Sequence, residues 1–273
     1  MQTQIDLRAQ FENETASITA FAQARMGLKP GQTIVKLDTY SIICVPYRLS
    51  INGAVLIASF SREELAFFQR YVNGLAGLTL IFQPGNSPNP LKIFARCFLK
   101  SVSPMKGRES VGLLEVLFKP CPPDLLSILF DYFMLLDRLK VEYEDFKGKL
   151  ISINADSAKV MGFNNYCLLI QGAEQAKVAL YALASDTLAF LVPMNGPQLE
   201  IGNPVQIKLF FRSFQFAVPG AVSNVTRLQN GVQKIMATVQ YSSELVSIIE
   251  QYRFAERLSA KTVTAAASQA AQT

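Results

Sequence analysis

Twice along the chain, a series of short apolar runs ends in the same sequence of features. A strand-like segment gives way to a polar break, an amphipathic helix and a closing Arg-Leu. The two stretches are GLLEVLFKPCPPDLLSILFDYFMLLDRL (Gly112 to Leu139) and KIMATVQYSSELVSIIEQYRFAERL (Lys234 to Leu258). Upstream of each junction the likeness continues, LTLIF against VQIKLFF and FARCFLKSV against FAVPGAVSNV. Two copies of one small antiparallel barrel, each closed by a helix, account for this spacing.

The expected strands follow from runs of Ile, Val, Phe and Leu punctuated by Gly, Pro and Asn. In the first block they are 33–36, 41–46, 54–59, 78–82, 92–102 and 111–118. In the second they are 150–154, 166–170, 177–183, 188–192, 205–211, 215–225 and 233–241. Ser61 with Glu64 three residues later predicts a capping box and a short inserted helix reaching about Asn73-Gly74. The prolines of KPCPPD suit the first turn of a second helix, whose positive end Asp124 complements. Its apolar surface is wider than one core-facing stripe, which requires cover on two sides. The charged stretch from Arg138 to Lys149 reads as that helix's end and a linker.

The expected organisation is a helical segment at 1–30, a barrel with inserted and closing helices at 31–140, a second barrel with its closing helix at 141–258, and a disordered tail at 259–273. The fold class is mainly β with helices.

Composition narrows the function. The chain of 273 residues carries 26 Lys and Arg against 21 Asp and Glu, an excess too small and scattered for a nucleic-acid stripe. It contains no histidine, which removes the commonest general base and the commonest metal ligand together. Cys44, Cys97, Cys121 and Cys167 form no CxxC pair and read as reduced, buried apolar residues. No catalytic or metal-ligating constellation stands out, so a non-enzyme is expected. The longest apolar run, Leu125 to Leu136, is broken by Ser127 and Asp131 and falls short of the ~20 residues of a membrane span. The opening residues lack the features of an export signal, which places the chain in the cytoplasm.

The stretch YRLSINGAVL (Tyr47 to Leu56) sets Ser50 and Gly53 three apart between two strands, with Arg48 before them. A glycine there supplies a positive φ while the hydroxyl caps a neighbouring backbone group. In the second block LASDTLAFLV (Leu183 to Val192) takes the same place. Ser185 matches the serine, and Leu183 and Leu188 stand at the flanking positions.

Layout and turn together resemble the PilZ family. In that family a six-stranded barrel is followed by a helix, an RxxxR pair precedes the barrel, and a [D/N]xSxxG turn joins two strands; pair and turn grip cyclic di-GMP. Carried onto this chain, the turn implies Arg48, Ser50, Gly53 and Ser185 as degenerate ligand positions. The arginine pair is missing: Arg8 and Arg25 are too far apart, and no Arg lies between Leu139 and Ser185. Guanidinium forks bond guanine edges and phosphates bidentately, whereas an ammonium is a point charge. Losing two such bonds at roughly 1.5–3 kcal/mol each weakens binding by about two to four decades. No cofactor is therefore expected, and cyclic di-GMP stays only as a ligand to be tested.

Two-domain members of the YcgR type and tandem, motif-poor versions associated with spirochaete flagella imply control of bacterial motility through protein contacts. The expected partner is a protein, a flagellar motor component or a second copy of the chain. Phe130 and Phe133 on the broad helix, with Arg212 and Arg227 as a basic face, are its candidate surface. The alternatives are a cyclic di-GMP receptor using non-standard residues, a flavin-binding split-barrel oxidoreductase, and a single-stranded nucleic-acid barrel. The last would need exposed aromatics among Lys and Arg, and Phe210, Phe211, Phe214 and Phe216 read instead as core.

Overall fold

The computed structural model describes residues 4–83, 85, 88–212, 214–228 and 231–270. In chain order the first half contains α1 (Gln4–Gln10), β1 (Thr15–Ser17), α2 (Ala20–Met26), β2 (Thr33–Leu37), β3 (Tyr40–Ser50), β4 (Gly53–Ser59), α3 (Arg62–Arg70), β5 (Leu75–Phe82), β6 (Leu91–Met105), β7 (Arg108–Phe118) and α4 (Pro123–Phe146). The second half contains β8 (Ile151–Ser152), α5 (Ala155–Met161), β9 (Phe163–Gln171), β10 (Glu174–Leu183), β11 (Thr187–Val192), β12 (Pro204–Phe211), β13 (Gln215–Arg227), β14 (Gln233–Val239) and α6 (Ser243–Ala270).

The chain divides into two compact units, 1–135 and 136–273. In the first, β2, β3, β4, β7, β6 and β5 pair in that order, and β5 pairs back with β2 to close the ring. In the second, β9, β10, β11, β14, β13 and β12 do the same, β12 returning to β9. Both are closed six-stranded antiparallel barrels, and closure leaves no free edge. Alternation along the strands fills each lumen. Leu37, Leu49, Leu56, Leu78, Leu80 and Leu99 are fully buried in the first, and Leu183, Leu188, Phe190, Ile207, Leu209 and Ile235 in the second.

The repeat starts earlier than the sequence suggested. Short β1 pairs on the outer part of β3, and short β8 pairs likewise on β10. Each is followed by a seven-residue helix ending in Met-Gly, the glycine left-handed at φ 69° in Gly27 and in Gly162. The second of these helices was hidden by its length, since seven residues hold too little periodicity to read. Caps define both helices. Thr19 accepts from the Ala22 amide, and Asn154 and Ser157 form a reciprocal capping box.

The helical segment expected at 1–30 therefore contains two helices with a strand between them. The linker expected after Arg138 is helical, because α4 runs on to Phe146. It also carries the unit boundary, at 135, inside a helix. The stretch from 259, expected to be disordered, continues α6 as far as Ala270, in keeping with the high helix propensity of its alanines. Residues 271–273 of that expected tail lie outside the described residues.

Candidate ligand turns and partner surfaces

Strand register brings Arg48, Ser50 and Gly53 to one place. Arg48 is opposite Val55 and Leu49 opposite Ala54, so the β3–β4 turn closes on Ser50 to Gly53. The Ser50 hydroxyl accepts from the Asn52 and Gly53 amides at 3.3 and 3.1 Å and donates to the Gly53 carbonyl at 3.2 Å. The hydroxyl thus caps the turn as its spacing predicts.

The reason for Gly53 is different. It is absent from the positive-φ residues, and a Cβ there would lie 2.1 Å from the Val116 carbonyl oxygen. The glycine is required because β7 passes so close, and the expected positive φ does not occur. A cavity of about 310 Å³ opens beside the turn, lined by Thr15, Arg48, Ser50, Asn52 and Glu115 among others. Its electrostatics are mixed. The Arg48 guanidinium lies 5.2 Å from the Tyr47 ring, and the Glu115 carboxylate accepts from Lys100 Nζ at 2.7 Å and the Ser101 hydroxyl at 3.2 Å.

The matching turn of the second unit is turned inward. Leu183, Ser185 and Leu188 are all fully buried. The Ser185 hydroxyl donates to the Tyr143 carbonyl of α4 at 2.8 Å, and Asp186 accepts from the Gly148 amide at 3.0 Å. Where the resemblance sets an acid and a glycine around the serine, this turn has two leucines in the barrel core. Ser185 thus fastens the end of α4, and Asp186 the chain just beyond it, to the second barrel.

Among the expected partner residues, Phe130 and Phe133 are not surface. They are 3% and 2% exposed, and their rings lie 5.9 and 5.4 Å from the ring of Phe11. The second side of α4 in the first unit is covered by the segment that follows α1, which sequence periodicity could not pair with a helix so distant in the chain. Arg212 and Arg227 are exposed and stand at opposite ends of β13, Arg212 three residues before its start and Arg227 at its last residue.

The strand aromatics also divide. Phe211 is buried, whereas Phe210 is half-exposed on the outer wall of the second barrel, its ring 5.0 Å from Tyr166. Lysines lie over these rings, Lys177 at 4.2 Å from Tyr166 and Lys208 at 5.4 Å from Phe210, and Lys234 lies 4.2 Å from Tyr181. Phe210 therefore leaves the expected core, and its face is already occupied by a cation of the same wall.

Among the described residues no group of three His, Cys, Asp or Glu side chains is placed to hold a metal, and no helix is long and apolar enough to cross a membrane.

A family model described as the PilZN3 domain matches residues 3–133. Among solved structures, the PlzA protein of Borreliella burgdorferi in complex with c-di-GMP is 14% identical at a TM-score of 0.46, with 91% of this chain and 97% of that one covered. YcgR from Escherichia coli in complex with c-di-GMP is 11% identical at 0.32, over 95% and 96% of the two chains. The Bacillus subtilis inhibitor of motility, MotI/DgrA, is 11% identical at 0.30, over 85% and 98%. No curated protein matches the chain in sequence.

Proposed function

We propose that the chain, whose residues 3–133 match the PilZN3 domain model, is a tandem PilZ-family protein and a non-catalytic cytoplasmic regulator of bacterial motility that acts through protein contacts and has lost the cyclic di-GMP grip of that family. The observation that carries this reading is the inward turn of the second unit. Ser185 is hydrogen-bonded to Tyr143, and Leu183 and Leu188 are buried where the family offers a carboxylate or amide and a glycine to the ligand. To reach a nucleotide, that buried serine would have to give up its bond to the Tyr143 carbonyl, which costs about 1–3 kcal/mol before any contact forms. The missing arginine pair removes the other half of the grip.

Calorimetric titration of the full chain with cyclic di-GMP is expected to show no binding tighter than about a hundred micromolar, given the decades lost with the two guanidinium contacts. A micromolar constant, weakened by Arg48→Ala, would instead establish a receptor that uses the first turn. Deleting the gene from its native host is expected to change spreading in soft agar, and a deletion strain that swims as the parent does would sink the motility part.

A further inference from the structure

The outer wall of the first barrel carries a cluster that no single sequence segment reveals. Lys36 on β2 is opposite Gly77 on β5, and Gly77 is opposite Arg96 on β6. The amide of Lys119, just past β7, bonds the Arg96 carbonyl at 2.8 Å. Gly77 makes room for an aromatic ring: a Cβ there would come within 2.6 Å of the Phe94 ring, which therefore lies across β5 beside the cations. Phe94 remains 58% exposed and Leu75 63% exposed. These residues, with Asp38, line a cavity of about 440 Å³.

The apolar surface continues past the cavity. Phe94 is opposite Thr79, Thr79 opposite Ile34, and Ile34 opposite Ile43, which is 66% exposed. Contiguous exposed apolar side chains rimmed by charge mark interaction surfaces. Among the described residues none of the three rim cations forms an ion pair; Lys119 Nζ lies 4.5 Å from the Phe98 ring. In the second barrel Lys177, Lys208 and Lys234 likewise lie over rings of the wall.

We propose that this wall docks an acidic protein segment, with an aromatic or aliphatic side chain seated on Phe94 and flanking carboxylates meeting Lys36, Arg96 and Lys119. Three cations against the one carboxylate of Asp38 select an acidic partner. The apolar row running on to Ile43 reaches beyond the cavity that a small molecule would fill, which selects a protein segment over a metabolite. The inference rests on the regulatory reading only in expecting a protein partner.

Fluorescence anisotropy on the full chain tests it, with a labelled peptide alternating Glu with Phe and Leu and a matched peptide carrying Lys for Glu. The acidic peptide is expected to bind more tightly than the basic one, and Lys36→Glu with Arg96→Glu to weaken it on the order of tenfold while restoring the basic peptide. Phe94→Ser is expected to weaken both peptides without reversing the preference. All substituted side chains are exposed, and unchanged thermal unfolding confirms the fold. Equal binding of both peptides, or an acidic peptide indifferent to the charge reversal, overturns the proposal. So does anilinonaphthalenesulfonate bound at Arg96 with no peptide bound, which would make the wall a small-anion site. Peptide binding by a chain whose deletion leaves motility unchanged would keep the docking wall and discard the motility reading.

Discussion

A methyl group on Gly53 would meet the Val116 carbonyl oxygen at 2.1 Å, so strand β4 or β7 has to move before any other side chain fits. Gly53→Ala is expected to lower stability by about 1–3 kcal/mol, the usual cost of overpacking a filled site. Denaturant melts followed by circular dichroism measure it. Gly31, with nothing within 4 Å of its added Cβ and no left-handed φ, is the control, and Gly31→Ala should leave the midpoint nearly unmoved. Equal midpoint shifts in the two variants would show that the close approach at Gly53 is not what constrains it. The serine-to-glycine spacing was legible in the sequence because a capped turn has a local signature. The approach of β7 was not, since Val116 is far along the chain and only strand register sets it beside the turn.

At the scale of elements, α3 was the most legible helix, and its cap explains why. The Ser61 hydroxyl accepts from the Glu64 amide at 3.1 Å, and the Glu64 carboxylate accepts from the Ser61 amide at 2.6 Å. The same carboxylate also accepts from the Tyr40 hydroxyl on β3, which ties the helix to the barrel. That bond, with those from Ser61, holds the Glu64 pKa below the ordinary carboxylate value. A depressed folded pKa gives stability that is present above the unfolded value and lost as pH falls through the folded one. Tyr40→Phe is therefore expected to be less stable than the parent near neutral pH, with the gap closing in acid. Urea midpoints at neutral and acid pH check this, and a gap independent of pH would refute the linkage. The shorter α5 escaped the reading because single capping residues carry little signal without a long periodic run behind them.

The whole molecule is one topology used twice, and the sequence showed this through its ends: the last strands and closing helices, α4 and α6, are the longest continuous patterns. The surfaces were far less legible. Lys36, Gly77, Arg96 and Lys119 are separated by whole strands, while Phe130 and Phe133 looked exposed only because their cover, Phe11, lies at the far end of the unit. The cysteines show the same dominance of packing over chemistry. All four are buried, and burial pushes the thiols up, to about 12 in Cys44 and Cys167 and about 11 in Cys97 and Cys121. Thiols so placed hold almost no thiolate at neutral pH. Ellman's reagent is expected to titrate none of the four in the native protein and all four in denaturant; rapid labelling of the native chain would contradict the packing described.

The seat of Phe11 between Phe130 and Phe133 has a consequence for biosynthesis. Phe11 leaves the ribosome long before α4 exists, so although β1 can pair with β3 early, the Phe11 ring lacks its two aromatic neighbours until nearly the whole unit has been translated. During that interval a bulky ring stays in water or in the hands of a chaperone, and the completion of α4 is the event that brings it home.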